Sequence, residues 1–203
     1  TIYRHVWADR EAGGLLHRYL RQVGKLKRKR YGTYESRGRL AGKRMITERP
    51  AAIERRNRIG HWEIDTVMGK NRACILTLVD RKTGYLMIGK LSAITMQQTN
   101  RRLRKLAERH PEKFRTIIAD NGCKFHGDVQ VEQTHGFEFY FAPPHHSWER
   151  GSNENANGLI RQYLPKGMSL NNLTQAQCDR IAHKLNTRPR KSYGYRTPEE
   201  LFN

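Results

Sequence analysis

A regular alternation of apolar and polar side chains begins at His61 and changes the character of the chain. "HWEIDTVMG" (61–69) alternates with period two, and "ACILTLVDR" (73–81) and "YLMIGKL" (85–91) are apolar runs parted by short polar turns containing glycine. That pattern predicts three strands in antiparallel succession. "TMQQTNRRLRKLAERH" (95–110) has helical spacing, with Leu103 and Leu106 on one side and arginines on the other. "RTIIAD" predicts a fourth strand, 126–135 a weaker helix, and "FEFYFA" (137–142) a fifth strand ending at Pro143-Pro144. Two helices close the chain, over about 152–163 and 174–187, the second starting from a Thr174 cap. Three antiparallel strands, helix, strand, helix, strand and helices make a mixed α/β sheet with helices on its faces.

Upstream the pattern is different. Residues 1–22 place Ile2 and Val6, then Leu15, Leu16, Tyr19 and Leu20, at spacings that suit two short helices broken at Gly13-Gly14. Residues 24–49, with "KLKRKRYGTYESRGRLAGKR", carry almost no apolar periodicity. The domain reading is therefore a helical segment over 1–22, a basic linker over 23–58 and a folded domain over 59–203. Because Thr1 is not an initiator methionine, the chain is expected to begin inside a longer protein.

Charge adds a partner. The 203 residues carry a formal net charge of +20, and residues 1–60 hold 17 basic against 5 acidic side chains. Such an excess favours a polyanion, and Lys27, Arg28, Lys29 and Arg30 are the densest group of phosphate-binding candidates. No stretch approaches the roughly 18 apolar residues of a membrane span, and no signal peptide is visible. Cys74, Cys123 and Cys178 are odd in number and widely spaced, which suits a reducing compartment. Cys123 and His126, with His145-His146 downstream, fall short of the four well-placed ligands of structural zinc.

The chemistry lies in the acids. "IIADNGCKF" (117–125) stops at Asp120 before Asn-Gly, where Asp serves as a turn former. Asp65, however, interrupts the first strand on the face opposite Trp62 and Ile64, and a carboxylate in a core strand needs a partner. If the first and fourth strands are neighbours, Asp65 and Asp120 approach one another and repel. A divalent cation with oxygen ligands, such as Mg²⁺, resolves the repulsion. Downstream, "HHSWERGSNENANGLIRQY" (145–163) offers Glu149 and Glu154 as a third acid. On a helix Glu154, Gly158 and Arg161 share one side, and Ala156, Leu159, Ile160 and Tyr163 the other. Arg161 is thereby available to a phosphate.

The set "GHWEIDTV", "LVDRKTGYL", "ADNG", "FYFAPPHHSWERGSNENANGLIRQYLPKG" and "NTRPRKSYGYRTPEELF" resembles the bacterial transposases of the insertion-sequence-thirty family. That family belongs to the DDE, retroviral-integrase-like group. The resemblance runs from residue 1 to 203 and implies a ribonuclease-H-like mixed five-stranded sheet with helices on both faces, preceded by the basic arm. The family places 33 residues between its second Asp and its Glu, a spacing that selects Glu154 over Glu149. It implies Asp65, Asp120 and Glu154 as catalytic ligands of Mg²⁺ (or Mn²⁺), which cleave at element ends and transfer strands to target DNA. Asn121, Lys124, Arg150 and Arg161 would line the DNA-binding cleft. The implied partners are double-stranded DNA, as terminal inverted repeats and target, and further copies of the chain in a synaptic complex. The implied setting is the bacterial cytoplasm and nucleoid. Two alternatives stand beside this reading: a ribonuclease-H-like nuclease, and a remnant that binds DNA without catalysis. Lys124 stands where the family commonly has Glu, and His145-His146 stand where Tyr and Ser are more usual.

Overall fold

The computed structural model describes residues 2–20, 42–70, 72–142 and 151–203. It divides into two compact units, Thr1–Ser36 and Arg37–Asn203. In the first, helix α1 (Ile2–Glu11) ends at a glycine pair, and a 3-10 turn follows over Leu16–Tyr19. Gly13 takes φ 85°, a conformation that costs glycine nothing. The Asp9 carboxylate then accepts the Leu16 N–H at 2.9 Å, fixing the direction of the exit.

The second unit holds α2 (Ala51–Glu54), β1 (His61–Met68), β2 (Cys74–Asp80), β3 (Leu86–Leu91) and α3 (Met96–Ala107). It continues with β4 (Thr116–Ala119), α4 (Asp128–His135), β5 (Glu138–Phe141), α5 (Gly151–Ile160), α6 (Gln175–Asn186) and α7 (Pro198–Phe202). The strands form one sheet in the order β3-β2-β1-β4-β5. β1, β2 and β3 run antiparallel, while β4 and β5 run parallel to β1. Five strands are as the alternation predicts, and the first and fourth are neighbours, the condition on which Asp65 and Asp120 approach one another.

Alternation along each strand builds two cores. Trp62, Ile64, Leu76, Leu78, Ile117 and the Phe137, Phe139, Phe141 row pack with Leu103 and Leu106 of α3. Val67, Ile75, Val79 and Ile88 pack on the other face against Ala156, Leu159 and Ile160 of α5 and Ile181 and Leu185 of α6. The cysteines Cys74 and Cys178 are buried, and burial pushes both thiols up to about 11.

α6 also closes the open edge of the sheet. Its Thr174 cap is the one the sequence suggests, and it is part of a capping box, with Thr174 Oγ1 accepting the Gln177 N–H and Gln177 Oε1 accepting that of Thr174. Gln175 then bonds the Lys90 N–H and the Ile88 carbonyl, and Asn186 bonds both main-chain groups of Leu86. Side-chain amides thus satisfy the edge strand where another strand would otherwise pair.

Two segments differ from the sequence reading. Residues 42–54, expected within the linker over 23–58, belong to the folded unit. Met45 bridges Phe141 at the β5 edge, and Ile46 and Ile53 pack with Ile118, Tyr140 and Ala142. Arg44 reaches Glu132 at 2.6 Å and Glu138 at 3.1 Å. The second is α7, which the sequence leaves without an element. Its Thr197 cap and Pro198 start a turn whose Phe202 is fully buried. Phe202 stacks on Tyr85 at 4.0 Å between centroids and meets Trp62 edge-on at 5.7 Å. Phe202→Ala is expected to cost about 3–5 kcal/mol, the range for a buried Phe whose site cannot collapse. Urea unfolding measures it, and a cost below 1 kcal/mol would make α7 a loose appendage.

Candidate active site

β1 ends the pairing with β4 at Glu63↔Ile118, and the register carried two residues on sets Asp65 beside Asp120. Adjacent strands lie about 4.8 Å apart. Parity decides the face. Trp62, Ile64, Ile117 and Ala119 point into the α3 core, so Glu63, Asp65, Ile118 and Asp120 point to the opposite side, where α5 crosses β1. The same parity thus gives the two aspartates one face, Asp65 in mid-β1 where its pairing with β4 has ended and Asp120 just past the end of β4.

Each carboxylate is held. Asp65 Oδ1 accepts the Thr66 N–H at 2.7 Å and Oδ2 accepts Asn157 Nδ2 of α5 at 2.9 Å. Asp120 Oδ1 accepts the Gly122 N–H at 2.9 Å, the turn expected of Asp before Asn-Gly. A Cβ at Gly122 would fall 2.6 Å from that same oxygen, so the glycine lets the chain pass close to the acid. Asp120 Oδ2 lies 3.2 Å from Lys124 Nζ, which also donates to Thr66 Oγ1 at 3.0 Å. The Gly122 contact and the Lys124 contact of Asp120 use different oxygens.

α5 is pinned by a group the sequence reading did not single out. Glu63, fully buried, accepts the Asn153 N–H at 3.0 Å in the first turn of α5 and pairs with Arg81 at 3.1 Å. Burial pushes its carboxyl up, and Arg81 and the Asn153 N–H pull it back. The available signal was parity: Glu63 and Asp65 are two acids on one face of a core strand.

Glu154 follows Asn153 and is exposed. Ala156 and Leu159 line a cavity of about 460 Å³ with Val79 and Leu86 on the β2–β3 side of α5. Glu154 lies 200° around the helix from Ala156, turned away from that cavity and toward solvent. Its carboxylate is not drawn in. Among the described residues no three His, Cys, Asp or Glu side chains gather closely enough to hold a metal. Arg161, expected to hold phosphate, donates to the Met68 carbonyl at 2.9 Å and the Leu164 carbonyl at 3.3 Å. It ties α5 to the end of β1. Asn121 is half-buried beside Asp120. Lys27, Arg28, Lys29, Arg30, Glu149, Arg150, His145 and His146 lie outside the described residues.

Two carboxylates given one face by strand parity, one of them already in contact with an ammonium, are donors of the type a hard divalent cation takes.

No protein-family model matches the chain. The whole chain is 44% identical to a transposase for insertion sequence element IS4351 of Bacteroides fragilis, covering 62% of that protein. Over 77% of its length it is 40% identical to a probable transposase for element IS1161 of Streptococcus salivarius, covering 45% of it. Over 77% it is also 39% identical to transposase InsI for element IS30A of Escherichia coli strain K12, covering 41%. The chain thus spans roughly two fifths to three fifths of the length of these curated relatives. Among solved structures, the catalytic core domain of BIV integrase superposes with a TM-score of 0.54 at 20% identity, covering 70% of this chain and 92% of that one. That likeness establishes the integrase-core, ribonuclease-H-like fold. By sequence, the chain is similar along its whole length or over 77% of it to these insertion-sequence transposases.

Proposed function

We propose that the chain carries the strand-cleaving and strand-joining chemistry of a DNA transposase. The observation that carries this reading is the parallel pairing of β1 with β4, whose register at Glu63↔Ile118, carried on two residues, would set Asp65 beside Asp120. Asp65, Asp120 and Glu154 would hold Mg²⁺ or Mn²⁺, with Glu154 turning inward by rotation of its own side chain. Bound there, the metal would activate the attacking water or 3′-hydroxyl and stabilise the leaving oxygen. The protein's part is positional. Asn157 and the Thr66 N–H aim the Asp65 carboxylate, and the Gly122 N–H aims that of Asp120. Glu63 holds the first turn of α5, and Arg161 its far end, against β1. The basic segment with Lys27, Arg28, Lys29 and Arg30 would supply phosphate contacts, which set position without reading sequence. Double-stranded DNA is the substrate in this reading, with synapsis of several copies bringing element ends together.

The Lys124–Asp120 contact favours one rival, a chain that binds DNA without catalysis. Product analysis separates the readings. The chain, joined to whatever DNA-recognition region its longer relatives carry, is incubated with element ends, target plasmid and Mg²⁺. Joined products that vanish with chelator support the transposase. Cleavage without joining indicates a nuclease, and DNA retention without either indicates the silent binder.

A further inference from the structure

Lys124 sits at the acidic pair in a way that the proposed chemistry does not require. Its ammonium lies 3.2 Å from Asp120 Oδ2 and donates at 3.0 Å to Thr66 Oγ1, on the residue after Asp65. It is held from behind as well as in front. Lys124 belongs to a 3-10 turn over Cys123–Phe125 whose Phe125 is buried in the α3 core, and the ammonium lies 4.9 Å from the centre of that ring. Only about a sixth of its side chain is exposed, against 28% for Asp120. The two other acids are otherwise engaged: Asp65 with Thr66 and Asn157, and Glu154 on the solvent side of α5.

We infer that Lys124 is a built-in counter-ion that competes with the divalent metal for Asp120, so that the site loads fully only when DNA draws the ammonium away. The inference rests on the metal-site reading above. Two cations cannot share one carboxylate oxygen at contact distance without strong repulsion. A metal must therefore displace the ammonium from Oδ2. The three donors of an ammonium need an acceptor wherever they go. A phosphodiester entering the cleft offers one, and the lysine's four-carbon stem lets the charge swing while Phe125 keeps the backbone in place. Metal loading and DNA binding then favour one another, because each relieves a cost imposed on the other.

The test measures Mn²⁺ affinity directly, by calorimetry and by the electron-spin resonance signal of free Mn²⁺, on the full chain with no reaction running. Lys124→Gln removes the charge and keeps the polar tip. Lys124→Met keeps the stem over Phe125 and serves if the first variant melts early. Either is expected to bind Mn²⁺ at least about tenfold more tightly than the parent, as expected when a unit charge beside a carboxylate is removed. Adding a short DNA duplex is expected to tighten binding by the parent more than by the variant, narrowing the gap. Equal affinity of parent and variant overturns the inference while leaving the metal site standing. A gap that DNA does not narrow overturns the exchange with phosphate. Mn²⁺ binding that persists undiminished in Asp120→Asn/Lys124→Gln places the metal elsewhere and overturns it too. If neither parent nor variant binds Mn²⁺ with or without DNA, the metal-site reading itself falls.

Discussion

Asp120→Asn is expected to lower strand joining by about 10³-fold while leaving the fold and DNA retention intact. The substitution separates the two roles of the residue. Asn keeps an oxygen for the Gly122 N–H, so the turn between β4 and the 3-10 segment survives. What disappears is the negative charge at Oδ2, now in contact with Lys124. Charge stabilisation by a carboxylate-held metal is worth several kcal/mol at the transition state, and each ~1.4 kcal/mol is a tenfold change in rate. A turn-forming Asp alone predicts the parental rate. Single-turnover joining kinetics, read beside circular dichroism and a filter-binding curve, distinguish the outcomes. Activity within threefold of the parent would return Asp120 to the role of turn former.

Glu63→Ala is expected to destabilise the folded unit by about 3–5 kcal/mol, the cost of breaking a buried ion pair from one side. The deletion removes the buried carboxylate partner of the Arg81 guanidinium, whose side chain is 2% exposed, and the acceptor of the Asn153 N–H. Arg81 also contacts exposed Glu54, at 3.5 Å. Two losses coincide, a buried ion pair and the acceptor of a donor in the first turn of α5. Because Asn153 and Glu154 are consecutive, the same loss loosens the helix that presents Glu154. Urea unfolding measures the stability term. A cost under 1 kcal/mol would mean that α5 is held by its apolar stripe alone.

The parts of this molecule legible in the sequence are those whose partners lie in the same periodic pattern. Alternation in 61–91 names both faces of β1, β2 and β3, and it places Asp65 opposite Trp62 and Ile64 before any coordinate is known. The apolar stripe Ala156, Leu159 and Ile160 likewise orients α5. Residues 42–54 were illegible because Met45, Ile46 and Ile53 are isolated apolar positions among cations, and what buries them is the β4–β5 side of the sheet, far along the chain. α7 has five residues, too few to show a period, and its burial comes from Tyr85 and Trp62. The Glu63–Arg81 pair crosses an antiparallel register, and Lys124 meets Thr66 across 58 positions. Spacing could name Glu154 as a ligand but could not tell how far its side chain reaches. That depends on side-chain rotation at an exposed position, which one residue-to-residue interval does not encode.

The measurement that bears most directly on the acidic site is a crystal structure of the chain soaked in Mn²⁺ and recorded at the manganese absorption edge. An anomalous peak between the Asp65 and Asp120 carboxylates, with Glu154 turned toward it and Lys124 Nζ withdrawn from Asp120, is the expected result. Saturating Mn²⁺ that leaves Lys124 on Asp120, with no anomalous peak at the pair, would contradict it.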